Sequence, residues 1–329
     1  MEGVAARYPQ DMEAQILYAL ALNITALPTD KTFTNQLKAA GILEPLFTKY
    51  PNHPGVAHYL IHTYDYAALA ERGLPAARAY AGIAPSVPHA LHMPSHLFSR
   101  VGLWREMVEG NRASYAAAKN ELTEKTLDIG TYDALHAMDY MVFGHLQQAQ
   151  DKAAKRLLDE VAAIRKVNVE NFVAAYAFAA IPARFALERG DWKQAAALEL
   201  SPAGLSWSKF PQAEAILVFA RGLGAARNGD VAAAHRDAER LRALKEAMTA
   251  AKIGYWAGQA DFQIKPVDAW IAFARSGDPS SQSLGSWPAY TASERATMLL
   301  GERTRLERAP LEEERRAWDA VPKQVLGAV

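Results

Sequence analysis

The chain has 329 residues, with 36 basic and 36 acidic side chains, a formal net charge of zero and no cysteine. A neutral chain has no global field to draw in nucleic acid or an anionic membrane. Without cysteine there is no disulfide framework, thiolate nucleophile or zinc finger, so any metal must be held by histidine, carboxylate, tyrosine or backbone oxygen.

Half of the residues are hydrophobic, enough for one elongated domain or two compact ones. No apolar run approaches the ~20 residues that a membrane-spanning helix needs. The opening Met1-Glu2-Gly3-Val4 lacks the basic and apolar regions of a secretory signal. We therefore expect a soluble, cytoplasmic protein that engages neither membrane nor nucleic acid.

Alanine is over-used and alternating Val/Ile/Thr patterns are almost absent, which predicts an all-α fold. Residues 11–26 place Met12, Ile16, Leu17, Leu20 and Ala21 along one helical face. Similar stripes predict helices over 36–50, 171–187, 213–226 and 231–251. The longer connections fall at 27–32 and after Asp278.

An internal repeat is the strongest signal. Pro51, Pro54, His58 and His62 recur 34 residues later as Pro85, Pro88, His92 and His96. A turn signature recurs too, in Arg100-Val101-Gly102-Leu103-Trp104, Glu188-Arg189-Gly190-Asp191-Trp192 and Arg227-Asn228-Gly229-Asp230-Val231. Each places glycine where the first helix of a pair should stop. Trp104 and Trp192 are expected to fill hairpin interiors.

Over about residues 8–265 the chain thus resembles the tetratricopeptide repeat (TPR) superfamily, whose unit is 34 residues long. The resemblance implies an α-solenoid of stacked antiparallel helix pairs. Three strings are similar to a particular bacterial branch of TPR-like proteins: His53-Pro54-Gly55-Val56-Ala57-His58-Tyr59-Leu60-Ile61-His62-Thr63-Tyr64-Asp65, Pro88-His89-Ala90-Leu91-His92-Met93-Pro94-Ser95-His96-Leu97-Phe98 and Leu135-His136-Ala137-Met138-Asp139-Tyr140. Members of that branch carry more repeats upstream, and export is open to these longer relatives. The first repeat here is therefore expected to be atypical, exposing apolar surface or covering it in a homodimer.

A second resemblance begins at Asp268-Ala269-Trp270-Ile271-Ala272-Phe273-Ala274-Arg275-Ser276-Gly277-Asp278-Pro279 and continues through Ser286-Trp287-Pro288-Ala289-Tyr290-Thr291 and Glu294-Arg295-Ala296-Thr297-Met298. These strings are similar to the carboxyl-terminal stretch of type-B carboxylesterases. The likeness covers only the tail, and the chain has no G-x-S-x-G elbow. It implies two parts: a TPR-like body over 1–265 and an esterase-like tail over 266–329 that packs as a cap or stays partly disordered.

Eight of the nine histidines lie between His53 and His145. His58 and His62 stand at i and i+4, on one helix face, with Asp65 following. His92 and His96 repeat that relation, and His136 with Asp139 and Tyr140 follows on a later helix. In a stack of repeats these sets line one concave groove. We therefore expect His58, His62, His92, His96 and His136 as ligands of a divalent zinc, copper, iron or manganese ion. Asp65 and Asp139 are candidate general bases, and Tyr64 and Tyr140 candidate substrate contacts in the groove. No organic cofactor is evident.

Pro94 leaves two readings open. Either it kinks a continuous helix, or it starts a new one and leaves His92 in a loop, which breaks the His92–His96 spacing. His53 is expected to start a helix, His89 to cap the next, and His145 and His235 to be surface or packing residues. Ser206-Trp207-Ser208-Lys209 has the S-x-x-K spacing without its companion motifs.

Two functions fit these observations. One is a metal-dependent hydrolase of esters or amides with a small-molecule substrate in the groove. The other is a non-catalytic TPR scaffold that binds a peptide or partner protein along the same face. A third reading has protonated imidazoles binding an anionic small molecule, with affinity falling as pH rises through about 6.5.

Overall fold

The computed structural model describes residues 1–27, 30–120, 129–281, 284–301 and 303–319. Helix dominates them, as the alanine-rich sequence predicts. None of the described helices is long and apolar enough to cross a membrane. The chain divides into two compact units, Met1–Phe185 with Leu200–Ser206, and Ala186–Glu199 with Trp207–Val329.

The first unit opens with α1 (Glu2–Arg7), α2 (Met12–Ile24), α3 (Thr34–Lys49), α4 (Pro54–Tyr64) and α5 (Ala70–Ile83). Asp11 caps α2 by accepting the Ala14 amide at 3.1 Å, and His53 caps α4 by accepting from Val56 at 3.3 Å. His53 thus starts a helix as expected. Next come the short α6 (Pro88–His92) and α7 (Pro94–Arg100), then α8 (Trp104–Asn120), β1 (Ile129–Gly130), α9 (Tyr132–Gln147), α10 (Asp151–Ala163), β2 (Lys166–Val167) and α11 (Phe172–Glu188). The unit boundary falls in the last turn of α11.

Successive helices pack on one another: α2 on α3, α3 on α4, α4 on α5 and α8 on α9. Their apolar faces form one core that includes Ile16, Leu43, Leu60, Ile61, Met93, Leu97 and Met107. Two-residue strands β1 and β2 pair in parallel, Ile129 with Lys166 and Gly130 with Val167.

Pro94 does neither of the two things anticipated for it. It is the first residue of α7, but His92 remains helical as the last residue of α6. Met93 between them has helical dihedrals, φ −51° and ψ −39°. The i, i+4 relation of His92 and His96 therefore survives a break in the backbone hydrogen-bond ladder.

The second unit contains α12 (Trp192–Ala196), a 3₁₀ turn (Trp207–Lys209), α13 (Pro211–Arg227), α14 (Val231–Ala250) and α15 (Gly254–Ser276), followed by β3 (Ala296–Leu299), β4 (Arg305–Arg308) and α16 (Glu312–Asp319). α13, α14 and α15 pack mutually around Val218, Leu241, Leu244, Met248 and Val267. The three turn glycines behave as the repeated signature predicts: Gly102, Gly190 and Gly229 have φ of 74°, 62° and 80°, where a side chain is strained. Trp104 and Trp192 are only half-buried. Trp104 meets the Phe143 ring edge-on, and Trp192 and Trp270 take the Arg227 guanidinium at 4.2 and 4.0 Å from their ring centres.

The division expected at residue 265 falls inside α15, which continues unbroken to Ser276. Beyond it the tail forms an antiparallel hairpin, Ala296 opposite Arg308 through Leu299 opposite Arg305. This hairpin is a departure from a purely helical reading. Lys265 on α15 donates to the Gly301 carbonyl at 2.9 Å, and Arg295 pairs with Glu312 at 2.5 Å. Residues 320–329 lie outside the described residues.

Candidate metal centre

Three helices deliver the central imidazoles: His92 from α6, His96 from α7 and His136 from α9. One ring nitrogen of each lies within 4.8 Å of the others. α8 holds the helices in place. A Cβ on Gly110 would come within 3.2 Å of the Leu91 carbonyl, so glycine lets α8 approach α6 and sets Asn111 beneath His92.

Hydrogen bonding fixes which nitrogens face the cluster. Asn111 is fully buried, and its amide nitrogen donates to Ser95 Oγ at 2.6 Å and to the Met107 carbonyl at 2.7 Å. A carbonyl can only accept, so the Asn111 Oδ1 faces His92 Nδ1 at 2.7 Å and His92 must donate there. His96 likewise donates Nδ1–H to Asp65 Oδ2 at 3.0 Å. When the two rings are neutral, the Nε2 atoms that face each other at 3.1 Å both carry lone pairs.

Two lone pairs at that distance repel unless a cation lies between them. Ligands 2.0–2.1 Å from a tetrahedral ion stand about 3.3 Å apart, within a few tenths of an ångström of the observed spacing. Burial holds the His92 pKa well below the ordinary imidazole value, with His136 and His96 adding to the effect. Burial also pushes His136 down to about 4, against a partial offset from Asp139. Neutral imidazole is the form that binds metal.

Asp65 terminates α4. Burial pushes its pKa up, but hydrogen bonds from His96 and from Arg100, whose Nε lies 2.9 Å from Oδ1, hold it below the ordinary carboxylate value. A carboxylate behind the distal nitrogen of a ligating imidazole fixes the tautomer and raises ligand basicity. Asp65 therefore orients His96, a different role from the general base expected from the sequence. Asp139 is also diverted. It is buried and paired with Arg184 of α11, so its carboxylate is committed to a guanidinium.

Tyr64 is not a groove residue: it is 1% exposed and donates to Glu44 of α3. Two residues past His62 lies about 200° around the helix, on the opposite face. Tyr140, the other expected groove contact, packs on the triad, its ring centre 4.7, 5.6 and 5.2 Å from those of His92, His96 and His136. Burial, reinforced by Asp65 and Asp139, raises its pKa and keeps the phenol protonated.

His58 and His62 stand beside the triad without joining it. His58 Nε2 lies 3.1 Å from His62 Nε2 and 3.2 Å from His89 Nε2, and the His62 and His96 ring centres are 6.3 Å apart. Burial, with crowding by His62, His89 and His96, pushes His58 down to about 3. His89, expected as a cap, lies inside α6 instead, with Val87 at its N-cap. His145 is a packing residue, 2.7 Å from Gln150 Oε1. Asn111 and Arg184 were missed, because an isolated polar residue on another helix carries no spacing signal, and Arg100 was missed although it stands four residues after His96 on α7.

The fold and the site define a helical protein with a convergent three-histidine cluster. No protein-family model matches the chain, and a search of curated proteins finds no significant match.

Proposed function

We propose that the protein is a TPR-like metal-dependent hydrolase whose ion is held by His92, His96 and His136. The observation that carries this reading is the pair of lone-pair nitrogens at 3.1 Å with a third imidazole nitrogen within 4.8 Å. One shared proton would satisfy the pair but would leave His136 without a role. The donors of the triad are all imidazole nitrogens, which favours zinc over manganese, an ion that prefers carboxylate and water oxygen. The 34-residue period, the left-handed turn glycines and the packing of successive helices support a solenoid of helix pairs.

His92, His96 and His136 would hold the ion, which when bound would supply an activated water for hydrolysis of an ester or amide. Asp65 holds His96 in its ligating tautomer, and the protonated Tyr140 hydroxyl donates to oxygen that gains charge in the transition state.

The test is metal analysis of protein purified without a histidine tag, with hydrolysis of p-nitrophenyl esters measured with and without chelator. One ion per chain and chelator-sensitive hydrolysis, both lost in a His92→Ala/His96→Ala variant, are expected. Metal-free protein whose properties the double variant leaves unchanged would sink the proposal. Peptide binding without metal would favour the scaffold.

A further inference from the structure

The second unit carries a cavity of about 520 Å³, inside the ~300–1,000 Å³ typical of small-ligand sites. Helical spacing builds two of its walls. His235 and Arg242 line it from α14, and Asp268, Ile271, Ala272 and Arg275 line it from α15 at i, i+3, i+4 and i+7, so each set projects from one helix face. Ser281 closes a third side from the segment after α15, where it bridges to Gly285.

The charged groups of the lining are not equivalent. Asp268 has both oxygens engaged by Arg242 Nη2 at 2.7 Å. Arg242 Nη1 donates to Glu239 at 2.7 Å, a side chain 73% exposed that lines no part of the cavity, so solvent screens its charge. Arg275 makes neither a hydrogen bond nor an ion pair among the described residues, and neither does His235. The lining therefore holds one guanidinium and one imidazole with donors to spare, while its carboxylate is already neutralised. Ile271, 4% exposed, and Ala272 add an apolar floor.

We infer that this cavity binds a small monocarboxylate with an apolar body. The carboxylate forks onto the Arg275 guanidinium, whose paired N–H groups match its two oxygens. His235 supplies a further N–H, which imidazole carries even when neutral, and the apolar part lies over Ile271 and Ala272. A phosphate monoester would bring a second negative charge with no second unpaired guanidinium to meet it.

Benzoate, benzamide and phenyl phosphate share a ring and differ in the head group, so they separate these contributions. In a proton–nitrogen correlation NMR titration read at the His235, Ile271 and Ala272 amides, benzoate should bind at least about tenfold more tightly than benzamide, the effect of a charge-assisted hydrogen-bond pair. It should also bind more tightly than phenyl phosphate. Arg275 is exposed, so Arg275→Gln keeps the fold; it should bring benzoate down to the benzamide level and leave benzamide unchanged. Arg112→Gln, which removes an exposed charge from α8, should alter neither. Absence of benzoate-dependent shifts at these amides, equal binding of benzoate and benzamide, tighter binding of phenyl phosphate, or full benzoate affinity in the Arg275 variant would each overturn the inference.

Discussion

Both units join packed helices by ion pairs, as Asp139 and Arg184 do in the first, but the first also gathers a cluster of imidazoles between its helices. In the second unit four helix contacts carry a charge and its complement. Arg221 meets Asp237 at 2.6 Å and Arg240 meets Glu214 at 2.6 Å between α13 and α14; Arg242 meets Asp268 at 2.7 Å and Lys245 meets Asp261 at 2.5 Å between α14 and α15. In the first unit, six imidazoles from α4, α6, α7 and α9 crowd together with Asp65 as the carboxylate bonded to one of them. Complementary pairs are complete within the chain. A cluster of imidazoles whose ring nitrogens converge could instead hold a cation from outside.

The largest effect that tests this contrast lies in the self-sufficient unit. Arg221→Ala leaves the buried Asp237 carboxylate without its partner and should cost about 3–5 kcal/mol in denaturant unfolding. That loss should be the same with metal or with chelator. A loss that depends on metal would break the separation between the two kinds of polar contact.

Acid comes next. His136 has a folded pKa of about 4 against ~6.5 when unfolded. Above pH 6.5 both states are neutral and the group contributes nothing. Between 6.5 and 4 only the unfolded chain is protonated, so stability falls with pH, by roughly 3 kcal/mol for this group, and levels off below 4. Urea titrations of metal-free protein at pH 7, 5.5 and 4.5 should show this decline, and a His136→Gln variant should show less of it.

Metal should then offset part of the difference. At a hundredfold excess over Kd, a bound ion stabilises the fold by about 2.7 kcal/mol, readable as a rise in Tm. His92→Ala/His96→Ala should abolish the rise, while Arg221→Ala, already destabilised, should retain it in full. A rise that persists in the double histidine variant would place the ion elsewhere.

Much of this contrast was legible in the sequence, because helical spacing is a property of position alone. The i, i+4 pairs His58–His62 and His92–His96, the later His136 and Tyr140, and the turn glycines all declared themselves by number. Two side chains that decide what the site does come from other elements and have no fixed spacing from it: Asn111 on α8 behind His92 and Arg184 on α11 against Asp139; Arg100 beside Asp65 stands four residues after His96 on α7. Those partners turned two expected bases into an orienting carboxylate and a committed ion pair. Tyr64 misled because it adjoins the motif in sequence but lies on the far face of α4. The equal spacing of the two histidine pairs also hid an offset: His58 meets His89, not His92.

The smallest predicted effect probes the one carboxylate that makes the imidazole row more than a crowd. Asp65→Asn keeps an oxygen able to accept the His96 Nδ1–H but removes the charge behind it, whereas Asp65→Ala removes both. Loss of such an outer partner lowers metal affinity by about 10- to 100-fold. The asparagine variant should therefore sit near the tenfold end and the alanine variant near the hundredfold end in competition with a chromophoric chelator. Exposed ion pairs contribute at most about 1 kcal/mol, and Arg100, half-exposed in its pair with Asp65, belongs to that class. Arg100→Ala should accordingly change metal affinity by less than either Asp65 variant. If all three variants bound metal equally well, Asp65 would be a surface charge that happens to touch a histidine, and the first unit's polar groove would differ from the second unit's ion pairs only in composition.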